Sequence, residues 1–381
     1  MKKYILMFIL LTAVCIGAAT DYYVTATGAG AKTGLSWAAA MDLTAFETDV
    51  EANAEPGDRY FFIQGTYVGP NDIDWSANNG TALLPISVIG VKTGTTAEPP
   101  TVSDYAYGDA RPYLNFIAST KHIKTSANNI VKNIRYDVNA GTTGLECPGV
   151  VIVENCKLQY TGVTASFCAT SATGGVIYIG CEIIGGNGRG IHSAGTNFVF
   201  NSWIHDSATG VYFDNHSFLI ANSVVSGCTV GINAIGYSNC RVLNNTFYNC
   251  TIALVGTTAY NTVVINNVFD GCTNVATWAT NKPLTNYSNY NIYDNADPNE
   301  TNWDYGQYDL LSAVTLTDPA ATPPDFTVGS GSNVLDAGMQ LDGDVWSGIL
   351  TGDYKVNIGA DQDDNAAAGG GGGSIFSSVV K

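Results

Sequence analysis

The chain has 381 residues, of which only 13% are charged and 42 are glycine, and its formal net charge is −17. This acidic balance argues against nucleic acid or an anionic membrane as partner, because both would repel the chain. Abundant glycine with many β-branched and aromatic residues favours an all-β protein with many tight turns. The length exceeds that of a usual single core, so we expect two domains or one elongated repeat structure.

Residues 1–19 have the pattern of a secretory signal peptide. Lys2 and Lys3 supply the positive end, an apolar run covers 4–16, and the small residues that follow form a cleavage site. The segment is typical of bacteria, so we expect a secreted or cell-surface protein; a lipid anchor on Cys15 is the alternative. No other segment reaches the roughly 20 apolar residues of a membrane-spanning helix, so no transmembrane segment is predicted.

Helical periodicity between Ser36 and Ala54 predicts an N-terminal capping helix. Leu43, Phe46 and Val50 lie on one face of this helix together with Ala54, and a Pro-Gly pair follows them. A repeat structure needs such a cover, because an open end exposes strand edges that aggregate.

A repeat of about 22 residues runs through the middle of the chain. Gly180 occupies one slot of a column that is otherwise asparagine: Asn133, Asn155, Asn201, Asn222, Asn245, Asn267 and Asn289. Each unit holds at least two short strands and is too short for a crossover helix, so stacked units pair strand on strand. We therefore predict an all-β fold, a right-handed parallel β-helix solenoid with an N-terminal capping helix and an asparagine ladder. A leucine-rich repeat has a similar period, but its leucine consensus is missing.

The cysteines fit this repeat. Cys228, Cys250 and Cys272 recur at the repeat spacing, and no histidine shares their column. We therefore predict buried small hydrophobic residues rather than metal ligands, and a disulfide between adjacent coils is the alternative.

The predicted organisation has four parts. The last part combines a flexible glycine linker with an apolar tail that could dock on another protein or is a frayed end. The parts are a signal peptide (1–19), an N-terminal strand and capping helix (20–57), the parallel β-helix with its closing coils (58–365), and the Gly-rich linker and tail (366–381).

These features resemble those of the pectin-lyase-like right-handed β-helix proteins. The resemblance covers roughly residues 21–362 and implies this fold, export, and a polysaccharide or cell-surface glycan as partner. It does not imply one activity, since the polygalacturonase motif and the pectate-lyase Arg-x-Pro-x-x-Arg motif are both missing. The segments that carry it are Tyr22-Tyr23-Val24, Gly34-Leu35-Ser36-Trp37, Pro56-Gly57-Asp58, Gly65-Thr66-Tyr67, Ser332–Gly338 and Ile358–Asp361.

One outward column, two residues after the asparagine ladder, suggests a catalytic site. It consists of Arg135, Lys157, Glu182 and Trp203. A lyase that works by β-elimination needs a base and a cationic group that stabilises the enolate beside the uronate carboxylate. Lys157 is the predicted base, Arg135 the neutralising group, Glu182 the residue that orients Lys157, and Trp203 a platform for a sugar ring. The alternative is a solvated ladder of ion pairs that ends in an aromatic residue.

A second outward column contains His192 and Tyr212, with Asp214 two residues further along the strand. These three residues are predicted to bind substrate, through sugar hydroxyls or acid–base contacts; ordinary polar surface is the alternative. His205 and Asp206 are expected on another face.

Two acidic segments, 342–344 and 361–364, have oxygen ligands that suit calcium. Neither segment completes a known calcium-binding loop motif, so we expect both to be solvated turns and assign no metal ligand. Calcium is therefore only a candidate cofactor.

Three hypotheses for function follow. The first is a secreted carbohydrate-active protein, specifically a polysaccharide lyase that acts on uronate-containing polymers. The second is a non-catalytic adhesin or structural β-helix rod, and the third is a glycoside hydrolase on the same fold.

Overall fold

A computed structural model describes fourteen stretches of the chain. Residues 1–18 of the predicted signal peptide, both acidic segments, the glycine linker and the apolar tail lie outside them. The described residues are 19–68, 72–116, 123–138, 143–162, 167–171, 175–214, 217–235, 240–256, 262–278, 288–294, 308–311, 314, 316–319 and 325–328.

Strands are the main regular structure of these stretches, and turns and loops join them. One α-helix, α1 (Leu43–Ala52), and three short 3-10 turns, Trp37–Ala39, Val102–Asp104 and Gly108–Ala110, accompany them. The strands are β1 (Asp21–Val24), β2 (Arg59–Ile63), β3 (Thr66–Val68), β4 (Ile73–Asp74), β5 (Ile86–Val91), β6 (Tyr113–Phe116), β7 (Ile123–Lys124), β8 (Asn129–Lys132), β9 (Arg135–Val138), β10 (Thr143–Cys147), β11 (Val151–Glu154), β12 (Lys157–Tyr160), β13 (Phe167–Ser171), β14 (Val176–Ile179), β15 (Glu182–Ser193), β16 (Asn197–Phe200), β17 (Trp203–Asp214), β18 (Phe218–Ala221), β19 (Val224–Ser226), β20 (Val230–Ile235), β21 (Cys240–Leu243), β22 (Thr246–Tyr248), β23 (Ile252–Gly256), β24 (Val263–Ile265), β25 (Val268–Asp270), β26 (Asn274–Trp278), β27 (Ser288–Asn289), β28 (Ile292–Tyr293), β29 (Leu310–Leu311), β30 (Leu316–Asp318) and β31 (Asp325–Val328).

Strands β1 to β29 stack in parallel into three faces, which confirms the predicted parallel β-helix, and β30 and β31 form a separate antiparallel pair. Face one is a sheet of eleven strands: β1, β2, β5, β8, β11, β14, β16, β18, β21, β24 and β27. A second sheet of eighteen strands bends into two further faces, because β15 and β17 run around the corner between them. Face two contains β3, β6, β9, β12, the first halves of β15 and β17, β19, β22, β25, β28 and β29. Face three contains β4, β7, β10, β13, the second halves of β15 and β17, β20, β23 and β26.

The turn between face one and face two is built on residues with positive φ. They are Asn133, Asn155, Gly180, Asn201, Asn222, Asn244, Asn266 and Tyr290. Asparagine tolerates this left-handed conformation because its short polar side chain can bond locally, and glycine has no Cβ to clash. The predicted column is therefore confirmed from Asn133 to Asn222, with Gly180 in its slot.

Beyond Asn222 the prediction is wrong by one position. Asn245 and Asn267 follow the turn by one residue, and Asn289 precedes it by one. Two of these coils carry consecutive asparagines, and the first of each pair takes the positive φ. The second one points inward and still forms a ladder: the Asn245 backbone N–H donates to Asn267 Oδ1 at 2.9 Å, and that of Asn267 donates to Asn291 Oδ1 at 3.0 Å.

The predicted N-terminal cap is present but shorter than expected. Helix α1 begins at Leu43 rather than near Ser36, because the Asp42 side chain accepts the Ala45 backbone N–H at 2.9 Å and caps it there. Phe46 and Val50 are buried on the underside of the helix, as predicted. The Phe46 ring packs edge-on against Phe62 of β2 at 4.8 Å, so the helix covers the first coil.

All eight cysteines of the described stretches are buried and free. The column of Cys228, Cys250 and Cys272 belongs to the main core. Elsewhere in the core, burial raises the pKa of the Cys147 thiol to about 12. The prediction of small buried hydrophobic residues is confirmed, and the alternative of a disulfide between coils is wrong for these residues. No helix in the described stretches has the length and apolar character to span a membrane.

Candidate functional site

The coils that contain β15 and β17 carry two groups of polar side chains, one on each side of the corner between face two and face three. The first group is the lysine column on face two. Strand pairing places Arg135, Lys157, Glu182 and Trp203 side by side on β9, β12, β15 and β17. The predicted outward column is thus brought together by the backbone register.

Lys157 and Glu182 form the centre of the lysine column. Lys157 Nζ donates to Glu182 Oε1 at 2.7 Å, and both side chains are about one-fifth exposed, at 22% and 20%. His205 Nε2 approaches the same carboxylate oxygen at 3.4 Å, which is an ion-pair distance rather than a short hydrogen bond. Burial alone would raise the pKa of Glu182, but the His205 imidazole and the Lys157 ammonium outweigh it and hold this pKa at about 2.

His205 lies on face two, whereas the predicted column of His192 and Tyr212 lies on face three, so the expectation that His205 occupies another face than this column is confirmed. His205 points outward two residues after Trp203, and the chain turns the corner only after it, at Asp206, whose φ is 49. The His205 ring stacks on the Trp203 indole at 3.7 Å with an angle of 16°, and His205 Nδ1 lies 2.8 Å from Asp206 Oδ2. The alternation of a strand, which puts positions i and i+2 on one side, was the signal for this residue.

Trp203 is fixed by a second contact. Its indole N–H donates to Ser226 Oγ on β19 at 2.8 Å. With one hydrogen bond and a stacked imidazole, the indole has a defined orientation on the surface of face two. A rigid aromatic plane of this kind is suited to stacking against a sugar ring.

Arg135 is next to Lys157 in register but turns away from the pair. Its guanidinium donates to the Asp137 carboxylate at 2.7 Å, and its Cζ lies 4.3 Å from the centre of the Tyr113 ring. The Asp137 side chain is only 2% exposed, so the carboxylate that holds the Arg135 guanidinium is itself buried. Neither Asp137 nor Tyr113 was singled out in the sequence. Tyr113 faces Arg135 in register, one coil before the asparagine repeat begins at Asn133, and Asp137 lies two residues further along β9.

The second group is the histidine cluster on face three, formed by Arg189 and His192 of β15 and by Tyr212 and Asp214 of β17. His192 faces Tyr212 in register, with ring centres 5.3 Å apart, and His192 Nε2 lies 3.2 Å from Asp214 Oδ2. Arg189 Cζ lies 3.4 Å from the centre of the Tyr212 ring. The structure therefore joins the three predicted binding residues and adds Arg189, which the sequence analysis missed.

The omission of Arg189 has a structural cause. The register of β15 on β17 shifts between Gly186 and Arg189, so an alternating pattern counted along the strand does not predict where Arg189 points. Burial raises the pKa of Tyr212, the Asp214 carboxylate raises it further, and the Arg189 guanidinium opposes them. The tyrosine therefore holds its proton at neutral pH.

Neither group is arranged as a metal site. In the stretches that the structure describes, no set of three or more His, Cys, Asp and Glu side chains converges as metal ligands would. The acidic segments considered for calcium, 342–344 and 361–364, lie outside those stretches. What the two groups can do directly is hold a sugar ring, pair with carboxylates and transfer protons.

Comparison with known proteins defines the fold. No family model matches the chain, and no curated protein matches it. The structure is similar to the crystal structure of pectate lyase Pel9A, with a TM-score of 0.57 and 14% identity over 90% of this chain and 97% of that one. A rhamnogalacturonan lyase gives a TM-score of 0.45 and 13% identity, over 66% of this chain and 82% of that one. The alginate lyase from Paenibacillus sp. str. FPU-7 gives 0.32 and 14%, over 77% and 96%.

The similarity to Pel9A shows a shared architecture. The chain has the pectin-lyase-like parallel β-helix fold, as the resemblance in the sequence implied. At 14% identity this similarity shows the fold alone. The activity has to be inferred from the side chains.

Proposed function

We propose that this chain is a carbohydrate-active protein that cleaves uronate-containing polysaccharides by β-elimination on the coils of β15 and β17. The single observation that carries the proposal is the lysine column. A cation, a carboxylate and an imidazole lie side by side there, and an indole stacks on the imidazole. Pel9A, whose structure has the same fold, is a pectate lyase, and this supports uronate-containing polysaccharides as the substrate class.

Each residue of the lysine column has a role in this proposal. Trp203 stacks on a sugar ring, and Lys157 and Arg135 place positive charge where uronate carboxylates approach a chain whose net charge is −17. Glu182 orients Lys157 through the 2.7 Å hydrogen bond. The assignment of Lys157 as the base stays a prediction from the sequence, since the structure shows its ammonium donating to a carboxylate.

We further propose that the protein is exported by a bacterium and meets its substrate outside the cell, as residues 1–19 predict. The partner is then an extracellular polysaccharide or a cell-surface glycan. The histidine cluster, on face three, contributes His192, Tyr212 and Asp214 as further groups that contact the polymer.

One experiment tests the proposed reaction. The full chain is incubated with a panel of uronate polysaccharides, with and without calcium, and the ultraviolet absorbance of the unsaturated uronate product is followed. We expect product with at least one polymer and a loss of about 100-fold in kcat/KM for Lys157→Ala. The matched control is Lys132→Ala, which breaks the Lys132–Glu154 ion pair of the same type on face one.

The opposite result is equally informative. If no polymer gives the unsaturated product, the lyase proposal is wrong, and an increase in reducing ends would then identify a glycoside hydrolase. Polymer binding without either product would identify a non-catalytic adhesin or rod. One observation favours that second candidate: Lys157 and Arg135 already have carboxylate partners within face two.

A further inference from the structure

The histidine cluster combines an imidazole, a phenol, a carboxylate and a guanidinium, which is more than binding a sugar requires. Its four side chains come from two adjacent strands and stand on the outer side of face three. A base, an acid and a cation are the three groups that abstraction of a proton next to a carboxylate needs. The contacts within the cluster assign each of these parts to a different residue.

His192 has the geometry of a base. A carboxylate accepts hydrogen bonds, so the 3.2 Å contact with Asp214 Oδ2 places the imidazole proton on Nε2. The lone pair is then on Nδ1, the nitrogen that does not face the carboxylate. Asp214 also stabilises the imidazolium that forms once Nδ1 has taken a proton, which is the usual role of a carboxylate behind a catalytic histidine.

Tyr212 has the properties of the acid. It faces His192 across one strand spacing, with the two ring centres 5.3 Å apart, so both can reach neighbouring atoms of one sugar. Burial and the Asp214 carboxylate raise the pKa of Tyr212. Its hydroxyl is consequently protonated before the reaction and can give its proton to a departing oxygen.

Arg189 supplies the fixed positive charge. Its guanidinium lies on the Tyr212 ring, with Cζ 3.4 Å from the ring centre, which holds the planar cation beside the acid and the base. A guanidinium in this position can pair with both oxygens of a uronate carboxylate and stabilise the enolate that develops on it.

From this geometry we propose that the histidine cluster is the proton-transfer centre of a β-elimination on a 4-linked uronate, an inference that rests on the proposed function. His192 Nδ1 takes the C5 proton, and the electrons of the C5–H bond form the C4–C5 double bond. The C4–O bond breaks, and the departing oxygen receives the Tyr212 hydroxyl proton. The imidazolium and the phenolate left behind return to their starting forms by transfer of one proton, so no oxidant or reductant is consumed.

The same geometry selects the substrate class. His192 and Tyr212 project from one sheet surface, so the base and the acid reach the same face of a sugar that lies on it. Removal of the C5 hydrogen and loss of the C4 oxygen from one face is a syn elimination. Glucuronate and mannuronate carry these two atoms on the same face of the ring, whereas galacturonate and guluronate carry them on opposite faces. The substrate is therefore a glucuronate or mannuronate polymer.

The experiment compares four 4-linked polymers: a glucuronan, polymannuronate, polygalacturonate and polyguluronate. We expect the unsaturated product from one or both of the first two and not from the others. His192→Ala and Tyr212→Phe should each lower kcat/KM by at least about 100-fold. Free imidazole should restore part of the activity of His192→Ala, which a merely structural role would not allow. The control is Thr277→Val, three coils further along the same outward column.

The outcomes separate this inference from the proposed function. Product from polygalacturonate or polyguluronate as the best substrate, or a wild-type rate for His192→Ala, would overturn the inference and leave the lyase proposal standing. Absence of product from every uronate polymer would overturn both. His192 is 18% exposed and Tyr212 is partly exposed, so both variants should fold, and equal melting temperatures would verify this.

Discussion

Glu182 accepts a hydrogen bond of 2.7 Å from Lys157 Nζ, and the two residues face each other on adjacent coils of face two. His205, one coil further on, approaches the same carboxylate oxygen at 3.4 Å. The charged form of Glu182 is thus stabilised from two sides in a surface that is largely shielded from water. This relationship makes the stability of the solenoid sensitive to acid at this point.

We expect Glu182→Gln to destabilise the protein at neutral pH and to have little effect in acid. The folded pKa of Glu182 is about 2 and its ordinary value is 4.5, so the folded state binds fewer protons between these values. The contribution is therefore complete above about pH 4.5 and disappears as pH falls towards 2. At pH 7 the variant should lose about 2 kcal/mol in free energy of unfolding, measured by urea denaturation.

The control for this prediction is Glu154→Gln, which removes the acid of the Lys132–Glu154 pair on face one. Without a third partner, that pair should contribute less than about 1 kcal/mol. An equal loss for Glu182→Gln at pH 7 and near pH 2 would mean that the carboxylate acts through packing rather than charge.

Lys157→Arg separates two roles for Lys157. If Lys157 only supplies positive charge, arginine should retain most of the activity, because a guanidinium keeps the charge and can still pair with Glu182. If Lys157 is the base, as predicted from the sequence, Lys157→Arg should be as inactive as Lys157→Ala, since arginine does not give up its proton. We expect the first result, measured as kcat/KM on the best polymer of the panel.

The sequence predicted the parallel β-helix and the lysine column for a simple reason. Both depend on a residue repeat, and in a stacked solenoid the repeat is the strand register, as the pairing of Lys157 with Glu182 shows. Departures from the repeat could not be predicted. The irregular register before Arg189 hid a member of the histidine cluster.

The ion partners escaped prediction for a different reason. Arg135 and Lys157 are adjacent in register, yet one pairs with Asp137 on its own strand and the other with Glu182 on the next coil. Rotamers and local sterics choose between such partners, and a one-dimensional pattern contains no information about them.

A pair of neighbouring carboxylates on face two gives stability a pH dependence of the opposite sign to that of Glu182. Asp270 on face two is partly buried beside Asp294 of the next coil, and burial together with the neighbouring carboxylate raises the pKa of Asp270 to about 7. Its ordinary value is 3.8, so the folded state binds more protons than the unfolded chain between these values. Stability should therefore fall as pH rises from about 4 to about 7 and remain lower above that.

Asp270→Asn tests this second dependence. At pH 8 the variant should be more stable than the wild type, because it removes one of two close negative charges, and near pH 4 the difference should vanish. Asp294→Asn should give the same gain, since either substitution relieves the same repulsion. Melting temperatures at the two pH values measure both effects. A gain for either variant that is independent of pH would contradict the charge argument.

The inward asparagine ladder should contribute more to stability than the asparagines of the surface turns. Asn267 is fully buried; its Oδ1 accepts the Asn245 backbone N–H at 2.9 Å, and its Nδ2 donates to the carbonyl oxygens of Val242 and Ile265 at 2.9 and 3.0 Å. Asn267→Ala removes all three bonds. The Ile265 carbonyl keeps the Asn244 backbone N–H at 2.9 Å, but the buried Asn245 N–H loses its acceptor, at a cost of about 1–3 kcal/mol.

We therefore expect Asn267→Ala to lower the free energy of unfolding by about 2 kcal/mol. Asn249, which has a φ of 52 at the exposed corner turn, provides the matched control. Asn249→Gly should be nearly neutral, because glycine adopts this left-handed conformation without strain. Equal losses for the two variants, measured by urea denaturation, would show that asparagine stabilises this solenoid through its turn conformation and not through the ladder of hydrogen bonds.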